Sequence, residues 1–271
     1  MTMIRKVQYL AVAAAAAVSG FAGAARADDA PAFTYSFNIG AVSDYMFRGF
    51  SQRDDKPALQ GGADIGYGIF YAGVWASNVD ENFVATNTEI DLYAGIKPVL
   101  GPVTFDFGVI YYGYPSQASA IATNFISGAV VDVDYFELKA GASFSPFTNA
   151  TLGTNFYYSP DYSYETGASY TIEGNASYTL PVIGVFTPTI SGVVGYQTVD
   201  EVFAFENAAA APAITDPRFF DDIIYWNAGL SLAVEKITFD MRYWGSNRDV
   251  DVPGVTSTDD RFVFGVKVAL P

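Results

Sequence analysis

The sequence predicts an all-β protein, a transmembrane antiparallel up-and-down β-barrel of about twelve strands. Segments of roughly ten residues alternate apolar and polar side chains, as the strands of such barrels do. Long connections between these segments also alternate with short ones. In the segment 103–109, one face carries Val103, Phe105, Phe107 and Val109, and the other carries Thr104, Asp106 and Gly108. An apolar face toward lipid and a mixed polar face toward the interior are typical of an outer-membrane barrel.

The first five predicted strands lie between residues 33 and 112. The opening strand places a bulky apolar side chain at every second position from Phe33 to Ile39, and the fifth strand contains the example above. A tight Gly68-Ile69 turn joins the second strand to the third. The predicted strands are Phe33–Val42, Ala58–Tyr67, Phe70–Ser77, Thr88–Ile96 and Val103–Tyr112.

The next four predicted strands lie between residues 135 and 196. The sixth sets apolar side chains from Phe136 to Phe144 against Glu137 and Lys139 on the other face. The seventh and eighth set aromatic and aliphatic side chains against glycine and polar residues. The predicted strands are Tyr135–Phe144, Ala150–Tyr158, Ser169–Leu180 and Phe186–Tyr196.

The last three predicted strands follow residue 222. The two-residue turn Glu235-Lys236 joins the tenth to the eleventh. The eleventh sets four apolar side chains, from Ile237 to Tyr243, against polar ones, and the twelfth repeats the pattern. The predicted strands are Ile223–Val234, Ile237–Trp244 and Arg261–Leu270.

The lengths of the connections predict the orientation of the barrel. Every long connection follows an odd-numbered strand, at 43–57, 78–87, 113–134, 159–168, 197–222 and 245–260. The connections after even-numbered strands are shorter. With the N-terminus in the periplasm, the long connections become extracellular loops and the short ones periplasmic turns, as in bacterial outer-membrane barrels. A soluble β-sandwich has no reason to sort loop lengths by side.

The first 27 residues are expected to be a signal peptide and not part of the fold. Arg5 and Lys6 precede an apolar stretch from Tyr9 to Phe21, and Ala25-Arg26-Ala27 is a small-x-small cleavage site. A transmembrane anchor is the alternative, but this stretch is short and rich in Ala. We therefore divide the chain into a signal peptide, 1–27, and an outer-membrane barrel, 28–271. Export with cleavage places the mature chain in the cell outer membrane.

Charge and composition exclude several classes of function. The chain has 14 Lys and Arg against 29 Asp and Glu, so nucleic acid is an improbable partner. It has no His and no Cys, which removes His-based catalytic triads, thiol nucleophiles and the usual zinc sites. The acidic pairs of the loops lack the spacing of calcium-binding motifs. We predict no enzyme activity, no cofactor and no metal site.

Four segments in the first hundred residues resemble a known family. The most specific is Ser43–Gln52, which reads Ser-Asp-Tyr-Met-Phe-Arg-Gly-Phe-Ser-Gln. The others are Pro57–Asp64, Tyr71–Val79 and Thr88–Gly95. On these segments the chain resembles the TorF family of proteobacterial proteins, which were formerly of unknown function and are proposed to be porins. The resemblance implies an outer-membrane barrel with porin activity, and it transfers no functional residue.

Charged side chains on the polar faces are the candidate lumen residues. They are Arg48, Asp64, Glu89, Asp91, Asp106, Glu137, Lys139, Glu173, Asp240, Arg242, Arg261 and Lys267. Arg48 differs from the rest because it follows the first strand. It could be a pore-mouth arginine, but we favour a structural salt bridge to Asp44 or Asp64, since arginine is common in such pairs.

These features predict a porin that lets small hydrophilic solutes or ions diffuse passively, with a preference for cations. A barrel of twelve strands is wider than one of eight, whose interior side chains just fill it. The alternative is a structural or adhesive barrel, closed by its own side chains and acting through its extracellular loops. The expected partners are outer-membrane lipid and small solutes or ions. Oligomerisation is possible but has no visible interface in the sequence.

Overall fold

A computed structural model describes residues 33–81, 86–115, 133–199, 222–252 and 256–270. Twelve long strands make up most of this part of the chain. In chain order they are β1 Phe33–Val42, β2 Ala58–Tyr67, β3 Phe70–Asn78, β4 Thr88–Ile96, β5 Val103–Gly113, β6 Tyr135–Phe144, β7 Ala150–Ser159, β8 Ser169–Thr179, β9 Thr187–Val199, β10 Ile223–Val234, β11 Ile237–Ser246 and β12 Arg261–Leu270.

The twelve strands form a closed barrel. Each strand pairs antiparallel with the next along the chain, and β12 pairs with β1 to complete the ring. The closing register runs from Phe37 opposite Leu270 to Val42 opposite Gly265. Closure leaves no unpaired strand edge, which a bilayer would not tolerate. The predicted fold class is therefore confirmed.

The two faces of the barrel differ as the sequence predicts. Bulky apolar side chains stay exposed on the outside, for instance Leu59 and Phe262, both at 61% exposure. Inward-facing neighbours such as Glu137 and Asn227 are buried. Such an apolar exterior suits lipid and would be unfavourable in water. No helix among the described residues is long and apolar enough to cross a membrane.

Strand boundaries agree closely with the prediction. Eleven strands begin at the predicted residue, and β9 begins at Thr187 instead of Phe186. Several strands extend further at the extracellular side, and β9 continues to Val199. The predicted signal peptide, 1–27, lies outside the described residues, as do parts of the loops 113–134, 197–222 and 245–260.

Three outward-facing tyrosines mark the extracellular end of the barrel. Tyr111, Tyr196 and Tyr243 donate hydrogen bonds to Asp134, Asp222 and Asp260, respectively. In each case the acceptor lies just before the following strand. Bonds from Thr198 and Tyr196 hold the pKa of Asp222 below its usual value. Amphipathic rings of this kind favour a membrane–water interface.

The loop after β1 folds into the barrel, contrary to the expectation of a polar extracellular loop. Within it, Met46–Phe47 pairs with Phe50–Ser51 as a short hairpin, here called the inner hairpin (residues 46–51). Its two-residue turn has positive φ at Arg48 (47°) and Gly49 (89°). A Cβ on Gly49 would lie 3.1 Å from Cβ of Tyr225, so the turn touches β10, three strands away from β1 in the ring. The inner hairpin therefore crosses the interior.

A second short hairpin packs beside the inner hairpin. Asp251–Val252 pairs with Thr256–Ser257, and Thr256 Oγ1 donates to the Ser51 carbonyl at 2.6 Å. Against the inner hairpin lies an apolar cluster in the extracellular half of the barrel. Its buried members are Tyr45, Ala58, Val79, Ile110, Tyr112, Tyr114, Val133, Tyr135 and Tyr157. The packed core of this protein thus sits inside the barrel, near the loops.

Candidate functional site

The candidate site is the interior of the barrel, which divides into two halves. The extracellular half surrounds the inner hairpin, and the periplasmic half lies between the hairpin and the short turns. Arg48 reaches the interior from the hairpin, whereas the other eleven predicted charges lie on inward faces of strands. In the extracellular half lie Arg48, Glu89, Asp91, Glu137 and Arg261; in the middle and the periplasmic half lie Asp64, Asp106, Lys139, Glu173, Asp240, Arg242 and Lys267.

Arg48 and Glu137 form a two-pronged ion pair across the interior. The Arg48 nitrogens donate to Glu137 Oε1 at 2.6 Å and to Oε2 at 2.7 Å. Only 4% and 1% of the two side chains are exposed. The guanidinium also lies over the rings of Phe47 and Tyr157, at 4.8 and 5.1 Å. The prediction of a structural ion pair is thus supported by this geometry.

The predicted partners of Arg48, Asp44 and Asp64, were wrong. The turn directs the Arg48 side chain toward β6, whereas Asp44 lies at the base of the hairpin. Asp64 lies nearer the periplasmic end, where it accepts a hydrogen bond from Tyr93. Glu137 on β6 is the acceptor instead, although it lies 89 residues away in sequence. Tyr112 also donates to Glu137, at 3.2 Å.

The base of the inner hairpin is held by Asp44 and Arg261. Asp44 accepts from Ser51 Oγ at 2.8 Å and from Arg261 Nη1 at 2.8 Å. Arg261 also contacts Asp55. Burial raises the pKa of Asp44, while the bonds from Ser51 and Arg261 oppose that rise. Both ion-pair partners of Arg261 lie in the loop after β1, so Arg261 holds that loop in place.

Two buried acids lie on the inner face of β4. Glu89 accepts from the Tyr45 hydroxyl at 2.8 Å, which ties the start of the hairpin loop to the wall. Asp91 is 4% exposed, and its Oδ1 has no hydrogen-bond partner in the part of the chain that the structure describes. The extracellular half thus combines an apolar cluster with more acids than bases.

The wall formed by β2 to β6 carries paired charges in the periplasmic half. Asp64 accepts from the Tyr93 hydroxyl at 2.5 Å and from Ser36 Oγ at 3.3 Å. Asp106 accepts from the Tyr71 hydroxyl at 2.7 Å and from Lys139 Nζ at 2.7 Å. Lys139 is buried, and the other side chains in these hydrogen bonds are half-buried.

Lys97 belongs to the same wall and was not among the predicted charges. Its Nζ lies 3.9 Å from Asp106 Oδ2 and 4.4 Å from the centre of the Tyr71 ring. Lys97 follows β4 in a turn, where the period-two alternation of a strand no longer predicts which way a side chain points. Only the fold shows that it faces the interior.

The opposite wall, from β8 to β12, has its own polar network. Arg242 donates to Asn227 Oδ1 at 2.7 Å, to Ser191 Oγ at 3.0 Å and to Asp240 at 3.2 and 3.1 Å. Glu173 accepts from the Tyr225 hydroxyl at 2.7 Å. Lys267 is half-buried and forms no ion pair within 4 Å among the described residues.

Tyrosines on the inner face belong to the candidate site and were not among the residues predicted from the sequence. Tyr45, Tyr71, Tyr93, Tyr112 and Tyr225 each donate to an inward-facing carboxylate. Glycines on neighbouring strands make room for some of these rings. A Cβ on Gly73 would lie 2.5 Å from the Tyr93 ring. A tyrosine on a polar strand face, with glycine on the adjacent strand, was the available signal.

No metal centre is formed by the described residues. None of their acidic side chains make a group of three or more that could hold a metal ion. Most of these carboxylates instead accept hydrogen bonds from tyrosine, lysine or arginine. An interior of this kind can orient water and ions.

The comparisons with known proteins identify a family and a fold. A family described as "Bacterial protein of unknown function (Gcw_chp)" matches residues 26–268. The barrel is similar to the solved KdgM porin, with 9% identity, a TM-score of 0.51, and coverage of 88% of this chain and 100% of that one. The KdgM porin in complex with disordered oligogalacturonate gives a TM-score of 0.52 at 9% identity, with the same coverage.

The NanC porin is another similar structure. It gives a TM-score of 0.53 at 10% identity, covering 86% of this chain and 100% of that one. Among curated proteins, none matches the sequence. At these identities the likeness is one of fold, and it is a likeness to porins of the outer membrane.

Proposed function

We propose that this chain, which belongs to the Gcw_chp family of bacterial proteins, is an outer-membrane porin through which small hydrophilic solutes or ions diffuse passively. One observation carries this proposal. In the periplasmic half, charged and hydroxyl-bearing side chains face an interior where they remain partly exposed, as Asp64 and Lys267 do. A half-buried lysine without an ion pair favours a hydrated interior, because burying an unpaired charge is strongly unfavourable.

The inner hairpin would set the size limit of this passage. It crosses the extracellular half and is tied to the far wall by Arg48 and Glu137. The space left beside it would admit ions and the smallest solutes, while larger solutes would need the hairpin to move. The periplasmic half would then act as a wider vestibule.

Charge would make the passage prefer cations to anions. Adding Asp44 and Lys97 to the twelve predicted charges gives eight acids and six bases inside the barrel. A carboxylate excess favours cations in a pore. The solved KdgM complex contains oligogalacturonate, an acidic saccharide. For this chain, cations and neutral hydrophilic solutes are the better proposal.

Single-channel recording in planar bilayers tests the porin proposal. The refolded protein should conduct in small, regular steps, and a salt gradient should give a reversal potential that favours potassium over chloride several-fold at low salt. Lys267→Glu should raise that preference, because Lys267 lacks an ion pair. The matched control is Lys236→Glu, which changes the same charge in the turn outside the barrel.

A variant with a Gly-Ser linker in place of residues 44–55 completes the test. If the wild-type protein and this variant both conduct, with the larger steps in the variant, the hairpin is the constriction. If the correctly folded wild-type protein carries no current, the porin proposal fails. Heat-modifiable migration on gels checks folding in each case.

A closed barrel that acts through its extracellular loops is the second candidate. The buried contacts of Arg48 and the apolar cluster around Tyr112 favour it, because they fill the extracellular half. In that case only the variant without the hairpin would conduct. Adhesion or loop-mediated contact would then be the activity to assay.

Several narrower statements are part of the same proposal. The Ser43–Gln52 motif suggests the TorF family within this group of proteins. Residues 1–27 would be a cleaved signal peptide that directs the barrel to the outer membrane. With no His and no Cys in the chain, the proposed activity is passage and not catalysis. Mass spectrometry of the mature N-terminus tests the cleavage site.

A further inference from the structure

Three periplasmic turns carry large apolar side chains that the barrel leaves exposed. They are the turns 97–102, 145–149 and 180–186. The most exposed side chains are Leu100 at 73%, Val185 at 70%, Ile183 at 66%, Val182 at 65% and Phe147 at 63%. The residues 98–102, 145–149 and 180–186 contain no charged side chain. Exposed apolar side chains would be unfavourable in the aqueous periplasm. We therefore expect another apolar surface to cover these turns.

The apolar tips are held in regular hydrogen-bonded positions. Val99 and Leu100 pair with Thr104 and Val103 in a two-residue extension of the β4–β5 hairpin. Ile183 and Phe186 exchange backbone hydrogen bonds at 2.9 and 3.0 Å. These turns therefore extend the wall of the barrel and present their side chains at fixed places.

The three turns lie side by side on one arc of the rim. They connect β4 to β5, β6 to β7, and β8 to β9, which are consecutive neighbours in the barrel. At one end of the arc, the next turn along the rim joins β10 to β11 and is the charged pair Glu235-Lys236. The apolar arc of the rim thus stops at a charged turn.

Lipid is the occupant that fits the apolar arc. The outward faces of the adjoining strands are exposed and apolar up to the turns, with Phe144, Leu152 and Ile190 near their periplasmic ends. No charged residue separates these side chains from the turn tips. The arc is therefore continuous with the lipid-facing surface of the barrel.

We propose that the turns 97–102, 145–149 and 180–186 are immersed in the periplasmic leaflet of the membrane. The adjacent charged turn Glu235-Lys236 would lie at the aqueous boundary, where the arc ends. Apolar side chains at this depth gain by leaving water, whereas a charged turn does not. The inference concerns placement in the bilayer and holds whether or not the lumen conducts.

Site-directed labelling can test this placement because the chain contains no cysteine. Single-cysteine variants Leu100→Cys, Phe147→Cys and Ile183→Cys would carry an environment-sensitive fluorophore, with Lys236→Cys as the matched control. Each would be refolded into phosphatidylcholine vesicles and checked by heat-modifiable migration. Spin-labelled phospholipids should quench the three arc labels several-fold more than the control, and aqueous iodide should do the reverse.

Two outcomes would overturn the proposal. One is equal iodide quenching at all four positions, which would place the arc in water. The other is protection that disappears as the protein is diluted in lipid, because the covering surface would then be a second copy of the chain. Because a fluorophore can itself partition into lipid, Ile183→Asp provides a second measurement. It should weaken insertion into vesicles, whereas Lys236→Asp should leave insertion unchanged.

Discussion

The two halves of the barrel interior are built on the same strands but are filled differently. In the extracellular half, the inner hairpin and an apolar cluster occupy the space, and Arg48 and Glu137 are almost fully buried. In the periplasmic half, Asp64, Asp106 and Lys267 remain partly exposed. An inner face that is polar throughout can therefore be a packed core at one level and a hydrated wall at another.

In the porin that we propose, the size limit would lie in the filled half, where the inner hairpin crosses the interior. The excess of acids over bases lies in that half as well, whereas the four acids and four bases of the middle and the periplasmic half balance. Substitutions in the first half should change stability strongly, and those in the second half should change it weakly.

Breaking the buried ion pair should have the largest effect. Arg48→Met leaves Glu137 buried without its partner, which we expect to lower the free energy of unfolding by about 3–5 kcal/mol. The control is Lys56→Met. The Lys56 side chain is 50% exposed in its pair with the buried Asp80, so solvent leaves that pair worth about 0–1 kcal/mol. Urea unfolding of the refolded protein in lipid vesicles measures both. Equal effects of the two substitutions would contradict a filled extracellular half in which Arg48 and Glu137 are buried.

Removing a tyrosine hydroxyl that donates to a carboxylate should have the next largest effect on the free energy of unfolding. Tyr45→Phe removes a donor from the fully buried Glu89, and we expect a loss of about 1.5–3 kcal/mol. Tyr93→Phe removes a donor from Asp64, where Ser36 and water remain, and should lose about 0.5–1.5 kcal/mol. Unfolding in urea compares the two variants. A larger loss for Tyr93→Phe would mean that the periplasmic half is as dry as the other.

Glycine substitutions in two turns should lower stability by less than the loss of the buried ion pair. Gly49→Ala places a Cβ on a positive φ beside Tyr225, whereas Gly101→Ala does so in open space. The left-handed backbone alone is unfavourable by about 1–2 kcal/mol for an alanine. Gly49→Ala should exceed Gly101→Ala by the added crowding. Thermal midpoints from circular dichroism would show the order, and the reverse order would place the hairpin tip away from the wall.

Local patterns in the sequence determined the strands, their faces and the direction in which most charges point. Side chains in a strand alternate with period two, so Glu137 and Arg242 could be assigned to the inner face without a fold. The segregation of long and short connections gave the even strand count and the orientation in the same way. These features depend on residues within one strand or one turn.

Only the tertiary structure decided which of the inward-facing groups meet. Arg48 pairs with Glu137, 89 residues away, and Tyr225 with Glu173, 52 residues away. The inward fold of the 43–57 loop and the inward position of Lys97 depend on the closed ring of strands. Closure brings distant strands to face one another across a few side-chain lengths, and no local periodicity contains that information.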